Sequence, residues 1–384
     1  MVASIVLAVT TAALSISLGP SGDAFYTPPR ALPSPSEGSV VWAQPFDSGS
    51  ALPSAAKNYR MLYQTLSSNG VFVAISGTLA IPKGAPPPRG WPLISWAHAT
   101  VGNAPQCAPS RRPTPNVEQQ MLDELVRRGY AIAQTDYEGN GTPGIHPYMV
   151  AGTLARDVTD IVTASRELDP QIGRDWIVMG HSEGGSVALA TAALGQQLAP
   201  NLNLVGGVAY APVVNAEGTL AYEVHSDSPS GALAIVGLLI EGFATADPRV
   251  VPSQILEPNF LPLLGELQQH CIDDLMDHSV WSSTAPATVF RPEGEAAIEA
   301  LYADLRQNDV VYFSISVPTF ILNGVSDIMV SSERTMAVAD HLRRNGTPVT
   351  FKAYLGATHA SVLAASLNDV APWIALRFAD AGAR

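Results

Sequence analysis

The sequence predicts an α/β fold, with a mostly parallel central sheet flanked by helices and a large helical insertion late in the chain. Three observations carry this expectation. Short apolar, β-branched runs alternate with helical runs from Gly70 to Val213, the pattern of strands covered on both faces. From there to residue 309 the chain holds helix formers and prolines with no convincing strand. The strand pattern then returns at Val311 and again at Pro348.

Taken in order, residues 5–18 form an apolar Ala/Val/Leu/Ile stretch followed by Ser21, Gly22, Asp23 and Ala24. This reads as an export signal over residues 1–24, cleaved near Ala24, with a retained membrane anchor as the alternative. No Lys or Arg precedes Ser4, so the α-amino group alone would supply the positive end. Residues 25–65 are rich in Pro, Ser and Gly and are expected to wrap over the surface. The core is expected over 66–212 and 310–384, with a helical cap over 213–309 inserted between late strands.

Within the core, VFVAISGTLAIP and WPLISWAH read as strands. A helix is expected from Asn116 to Arg128, with Asn116 as its cap, Glu118 as an acid in its first turn and Gly129 as its stop. The strand YAIAQTD, the loop EGNGTPG and a helix from Gly152 to Leu168 follow. The buried strand RDWIVMG runs straight into the Ala-rich helix SVALATAALGQQL, and NLVGGVAYAP gives a further strand. In the insertion, the apolar stripe from Ala232 to Ile240 reads mainly as helix core. An insertion above the carboxyl ends of the strands would also sit over the crevice where such sheets bind ligands, as a lid or acyl-binding wall.

Composition narrows the function. With 384 residues, 47% of them hydrophobic, the chain can bury one large core carrying an insertion, or two domains. A net charge of -13 repels phosphate backbones, and the nearest approach to a basic cluster is the pair Arg111-Arg112. Nucleic acid is therefore not an expected partner. The two cysteines, Cys107 and Cys271, suit one disulfide between distant segments of an exported chain, with two unpaired buried thiols as the alternative.

The chemistry is concentrated at Gly180-His181-Ser182-Glu183-Gly184-Gly185. A GxSxG string is weak evidence alone, but here it follows a strand and opens a helix, as in the nucleophile elbow of α/β-hydrolases. The glycines let neighbouring backbone approach a strained serine, and N–H groups at the helix start face any oxyanion formed beside Ser182 Oγ. The competing reading is an N-cap serine in a glycine-rich turn.

A serine needs a histidine base oriented by a carboxylate, and in such folds the chain order is Ser, acid, His. His359 lies in a loop beyond the last strand, whereas His341 sits in a charged helical run that looks solvent-facing. Asp327 follows strand PTFILNG at its carboxyl end, while Asp309 precedes that strand at the wrong end of the sheet. The expected oxyanion donors are the backbone N–H groups of Glu183 and, from the Ala99–Val101 loop, Thr100. His98 would shape that loop or be a buried, hydrogen-bonded histidine. Asp136 and Tyr137 follow another strand end and are expected to border the site or to anchor the TPG loop. His146, His225, His270 and His278 show no metal-ligand spacing and no nucleotide motif is present, so no cofactor or metal is expected.

Together, WAHATVGNAPQCAPS, TDYEGNGTPGIHPY, GHSEGG and the late Asp and His resemble the secretory lipase family, the group of yeast lipase A, over most of the chain from Phe25 onward. The resemblance implies an α/β-hydrolase core, a helical cap inserted before the acid-bearing strand, and a triad of Ser182, Asp327 and His359. It also implies that Cys107 pairs with Cys271. In WAHAT, Ala99 stands where bacterial relatives often show glycine, and alanine tolerates most backbone geometries except positive φ.

The expected function is that of a secreted or envelope-associated serine ester hydrolase, foremost a triacylglycerol lipase. It would act on a lipid or small ester in transient contact with a lipid–water interface, with no obligate protein partner. The alternatives are a short-chain carboxylesterase or acyltransferase with the same triad, a serine peptidase, and a non-catalytic binding protein on a hydrolase scaffold.

Overall fold

The computed structural model describes residues 16–383 except 34, 48, 113–115, 230, 278 and 292–294. Residues 5–15 of the expected signal core, and His278, lie outside the described residues. The chain forms a nine-stranded sheet: β1 (Val40–Pro45), β2 (Lys57–Leu66), β3 (Phe72–Ile81), β4 (Trp91–Ala97), β5 (Ala131–Thr135), β6 (Ile172–His181), β7 (Asn203–Tyr210), β8 (Thr319–Gly324) and β9 (Val349–Tyr354). Their spatial order is β1-β2-β3-β5-β4-β6-β7-β8-β9. The run from β5 to β9 is parallel, as expected from the alternating strands and helices. The edge formed by β1, β2 and β3 is antiparallel.

That edge corrects one expectation. Residues 25–65, read as a surface wrap, contain β1 and β2. The buried apolar residues of β2 come as a block, Met61, Leu62 and Tyr63, all fully buried, between the polar Arg60 and Gln64. A block that faces both layers lacks the alternation of a half-buried strand. The preceding residues pack against this edge too. Ala43 N–H donates to the Ser17 carbonyl at 2.9 Å, and Phe25 and Tyr26 are buried with Trp42 and Leu62. A cut near Ala24 would remove the Ser17 contact with β1.

Helices α1 (Val117–Arg127), α2 (Ala151–Leu168) and α3 (Glu183–Leu198) follow β4, β5 and β6. Asn116 caps α1, its side chain accepting from Gln119 N–H, as its position in the sequence suggests. On one face of the sheet α2 and α3 bury Val158, Ile161, Val187 and Leu189 against Ile75, Leu93 and Val178.

Between β7 and β8 the chain forms α4 (Ala216–Glu223), α5 (Ala232–Ala246), α6 (Pro252–Ile255), α7 (Leu264–Leu267), α8 (Ile272–Asp277), α9 (Val280–Ser283) and α10 (Glu295–Asn308). This helical insertion has its own core, in which Val236, Leu239, Ile240 and Phe243 of α5 pack with Trp281 and Leu301. Tyr148 and Val150 of the main body join that cluster. After β8 come α11 (Ser332–Arg344) and α12 (Val362–Gly382). On the opposite face of the sheet, α1 and α12 pack Leu122, Leu125, Val370 and Ile374 against Ile94, Ile177 and Leu322.

The insertion is fastened to the loop after β4. Cys107 and Cys271 form a disulfide, Ile272 N–H donates to the Val101 carbonyl at 3.0 Å, and Asn103 donates to Glu241 of α5 at 3.2 Å. The cap thus holds the loop expected to supply an oxyanion donor. Among the described residues no helix is long and apolar enough to cross a membrane.

Candidate active site

Strand β6 delivers Ser182 at its carboxyl end, and α3 begins at the next residue. Ser182 has φ 57° and ψ -119°, a left-handed conformation that costs a serine about 1–3 kcal/mol. It is held by Ser182 N–H donating to the Tyr210 carbonyl at 2.9 Å and Val213 N–H donating to the Ser182 carbonyl at 3.2 Å. The turn closes only because two side chains are missing. A Cβ on Gly180 would lie 2.0 Å from the Gly184 carbonyl oxygen, and one on Gly184 would lie 2.0 Å from that of Ala97. Glycine at both positions lets β4, β6 and α3 meet at the elbow.

The loops after β8 and β9 carry the expected acid and base. Val325 N–H donates to the Tyr354 carbonyl and Ser326 N–H to that of Ala357, each at 2.9 Å, which locks the two loops together. Asp327 Oδ1 accepts from the N–H groups of Met329 at 2.8 Å and Val330 at 2.9 Å. This leaves Oδ2 for His359 Nδ1, 2.8 Å away. Burial alone would raise the Asp327 carboxyl, but the bonds from His359, Val330 and Met329 outweigh it and hold it below its ordinary range. With Nδ1 donating to an ionised carboxylate, Nε2 of a neutral His359 is left as a proton acceptor.

His359 stands beside the strand that delivers Ser182. Its ring lies 4.6 Å from that of His181, the residue before Ser182, and its carbonyl bonds His181 Nε2 at 2.9 Å. Ser182 Oγ and His359 Nε2 make no hydrogen bond among the described residues. Such contacts often tighten only when substrate binds.

The two expected oxyanion donors are both open. Glu183 is the first residue of α3, so its N–H lacks an intrahelical acceptor. In the loop after β4, Ala99 N–H is taken by Glu118 Oε1 at 3.1 Å, whereas Thr100 N–H has no acceptor among the described residues. The Thr100 hydroxyl is tied to Tyr148 OH at 3.0 Å. Ala99 is not among the positive-φ residues, so alanine fits there without strain.

Two residues that sequence reasoning placed near the site divide in role. Asp136 is fully buried and accepts from Ser76 Oγ at 2.5 Å, Ser110 N–H at 2.9 Å and Ser110 Oγ. Burial raises its carboxyl despite those bonds. It anchors the turn at Ser110 to β3, and none of these partners is a candidate triad residue. Tyr137, at φ 67°, donates its hydroxyl to the His98 carbonyl at 3.1 Å and packs its ring 4.2 Å from His98 and 5.4 Å from His146. His98 bonds the Ala99 carbonyl through Nδ1 at 2.7 Å, so it shapes the loop expected to supply the second oxyanion donor.

Sequence reasoning missed two buried His–Glu pairs, one on each chain neighbour of Ser182. Glu183 Oε1 lies 2.7 Å from His146 Nε2, and His146 Nδ1 bonds the Glu138 carbonyl at 3.0 Å. His181 Nδ1 lies 3.1 Å from Glu118 Oε1. Glu118 also accepts from Trp96 Nε1 at 3.2 Å. Its acidic place in the first turn of α1 hid this second role, because a helix start explains an acid there without any distant partner.

A family model described as secretory lipase matches residues 111–383. A probable inactive lipase of Mycobacterium tuberculosis is 24% identical, covering 94% of this chain and 82% of the relative. The secreted triacylglycerol lipase LIP7 of Malassezia globosa is 25% identical over 93% of this chain and 79% of its own length. Among solved structures, Candida antarctica lipase A in its closed state superposes with a TM-score of 0.78 at 17% identity, covering 93% of this chain and 85% of that one, a likeness of fold.

Proposed function

The chain belongs to the secretory lipase family, ester-acting hydrolases of the α/β-hydrolase superfamily, and on that premise we propose that it is a secreted triacylglycerol lipase working through Ser182, His359 and Asp327. The observation that carries the reading is the Asp327–His359 hydrogen bond, set beside a serine in left-handed backbone between a strand and a helix.

In the proposed cycle, His359 Nε2 takes the Ser182 proton as Oγ attacks the ester carbonyl. The N–H groups of Glu183 and Thr100 receive the negative charge on the tetrahedral oxygen. His359 then passes the proton to the departing alcohol; next it draws a proton from water as the water oxygen attacks the acyl carbon, and it returns that proton to Ser182 Oγ as the acid leaves. Asp327 stays ionised throughout and holds the imidazole in the tautomer that can accept. The acidic triad member and the base sit on loops that also present apolar side chains to solvent, with Ile328 96% and Leu355 92% exposed. In this reading these loops meet the lipid–water interface, and the cap supplies the acyl-binding wall.

The test compares wild type with Ser182→Ala on a long-chain triacylglycerol emulsion and on soluble p-nitrophenyl esters, alongside labelling by a fluorophosphonate. Ser182-dependent turnover of the emulsion and labelling of wild type alone are expected. Turnover confined to short soluble esters would make the enzyme a carboxylesterase. Equal residual activity in both proteins would sink the assignment of Ser182.

A further inference from the structure

Glu118 and His181 are joined to both halves of the proposed machinery at once. Glu118 Oε1 accepts the N–H of Ala99, next to the Thr100 donor, and the same oxygen lies 3.1 Å from His181 Nδ1. His181 Nε2 in turn bonds the carbonyl of His359 at 2.9 Å. A carbonyl oxygen can only accept, so Nε2 carries a hydrogen. Nδ1 then faces a carboxylate oxygen, and their contact is a hydrogen bond only if a proton lies in it, on the ring or on the acid. One buried proton therefore links the oxyanion loop, the residue before the nucleophile and the main chain of the base.

We propose that Glu118 and His181 form a proton-holding clasp that positions the Thr100 oxyanion donor and the His359 base relative to Ser182. They are positioning residues: neither touches the reacting atoms in the cycle above, and the inference rests on that cycle. Several groups face the clasp. From α1 comes Glu118, from the loop after β4 His98, and from the loop after β9 the His359 ring with Asp327 behind it. Burial would raise the Glu118 carboxyl, but the His181 hydrogen bond and charge, with smaller help from His98 and Trp96, bring it below its ordinary value.

The clasp separates charge from packing in a testable way. His181→Gln removes the proton-holding ring and leaves the Glu118 carboxylate without its partner, one residue's width from the His359 loop. A nearby anion favours protonated His359, so the acid limb of kcat/KM moves to higher pH, by about half a unit or more. Glu118→Gln removes the anion, so it produces no such upward move. Both variants replace the shared-proton contact between the two loops by weaker amide bonds, and kcat for a soluble ester falls about ten- to a hundredfold, with KM little changed. Because the two act as a unit, the double variant loses no more than the worse single one.

The experiment is a set of pH–rate profiles for wild type, Ser182→Ala, Glu118→Gln, His181→Gln and the double variant, with thermal melting of each. Wild-type turnover that survives Ser182→Ala would overturn the proposed function itself. Ser182-dependent turnover with unaltered kcat and acid limb in both Gln variants would overturn the clasp and leave that function standing. Losses that add in the double variant, or loss of a cooperative melting transition in both single variants, would overturn it as well, by making the pair a packing element of the core.

Discussion

Replacing Asp327 by Asn gives the sharpest test of how the proposed base, His359, is oriented. Oδ1 of Asp327 receives the N–H groups of Met329 and Val330 at 2.8 and 2.9 Å, so it must remain an acceptor. In the variant the amide oxygen takes that place and the amide nitrogen replaces Oδ2, 2.8 Å from His359 Nδ1. Two donors cannot face each other, so Nδ1 gives up its hydrogen and Nε2 carries it. An Nε2–H cannot accept the Ser182 proton. A histidine forced into the wrong tautomer costs a serine hydrolase about 10⁴-fold in kcat, or about 5 kcal/mol on the barrier.

The turn bonds of residue 327 survive this change, so the melting temperature at neutral pH should move little. Asp327→Ala loses the turn bonds as well and should melt lower. The assay is kcat on a soluble p-nitrophenyl ester, with active sites counted by fluorophosphonate. An Asp327→Asn enzyme within about tenfold of wild-type kcat would refute the tautomer argument, since a wrong tautomer costs far more than that. The acid's own titration sets a further check. Its carboxyl is held below the ordinary 3.8, so the stability it contributes is present above that value and is lost as pH falls through its folded value.

Three further outcomes follow from the same geometry. The Cys107–Cys271 disulfide spans a sequence separation of 164, and replacing both cysteines by serine should cost about 3–5 kcal/mol in denaturant unfolding; a loss under about 1 kcal/mol would mean that the remaining contacts already hold the cap. Glu241, buried in α5 with Asn103 and Gln268 as its donors, has its carboxyl raised by burial from 4.5 to about 7. The folded state then binds more protons than the unfolded one, so stability falls as pH rises across that window. Glu241→Gln should flatten this slope and raise the melting temperature at pH 8, and an unchanged slope would refute the reading. Finally, Ile328→Ser with Leu355→Ser should lower turnover of a triacylglycerol emulsion severalfold while sparing soluble esters; equal effects on both substrates would remove these loops from the interface.

How much of this was legible in the sequence depended on how far apart the cooperating residues lie. The elbow was readable because its evidence is local: a strand, a tight glycine turn and a helix in consecutive residues, which the structure closes through Gly180 and Gly184. The expected acid and base, Asp327 and His359, could be singled out because each follows a strand whose carboxyl end must share a side of a parallel sheet with Ser182. The edge strands β1 and β2 escaped, since Met61, Leu62 and Tyr63 form a block without alternation in a Pro/Ser/Gly-rich neighbourhood. Glu118 escaped for a different reason. It meets His181 across 63 residues, and its local setting at a capped helix start already explains an acid. His146 and Glu183 are separated by 37 residues and lie on different segments. Periodicity reports which faces of elements are apolar, and motifs report which residues share a turn. Neither reports which buried polar groups satisfy one another, because that choice is made by packing. The pairs flanking Ser182 are choices of that kind, and they are where the structure adds most to the sequence.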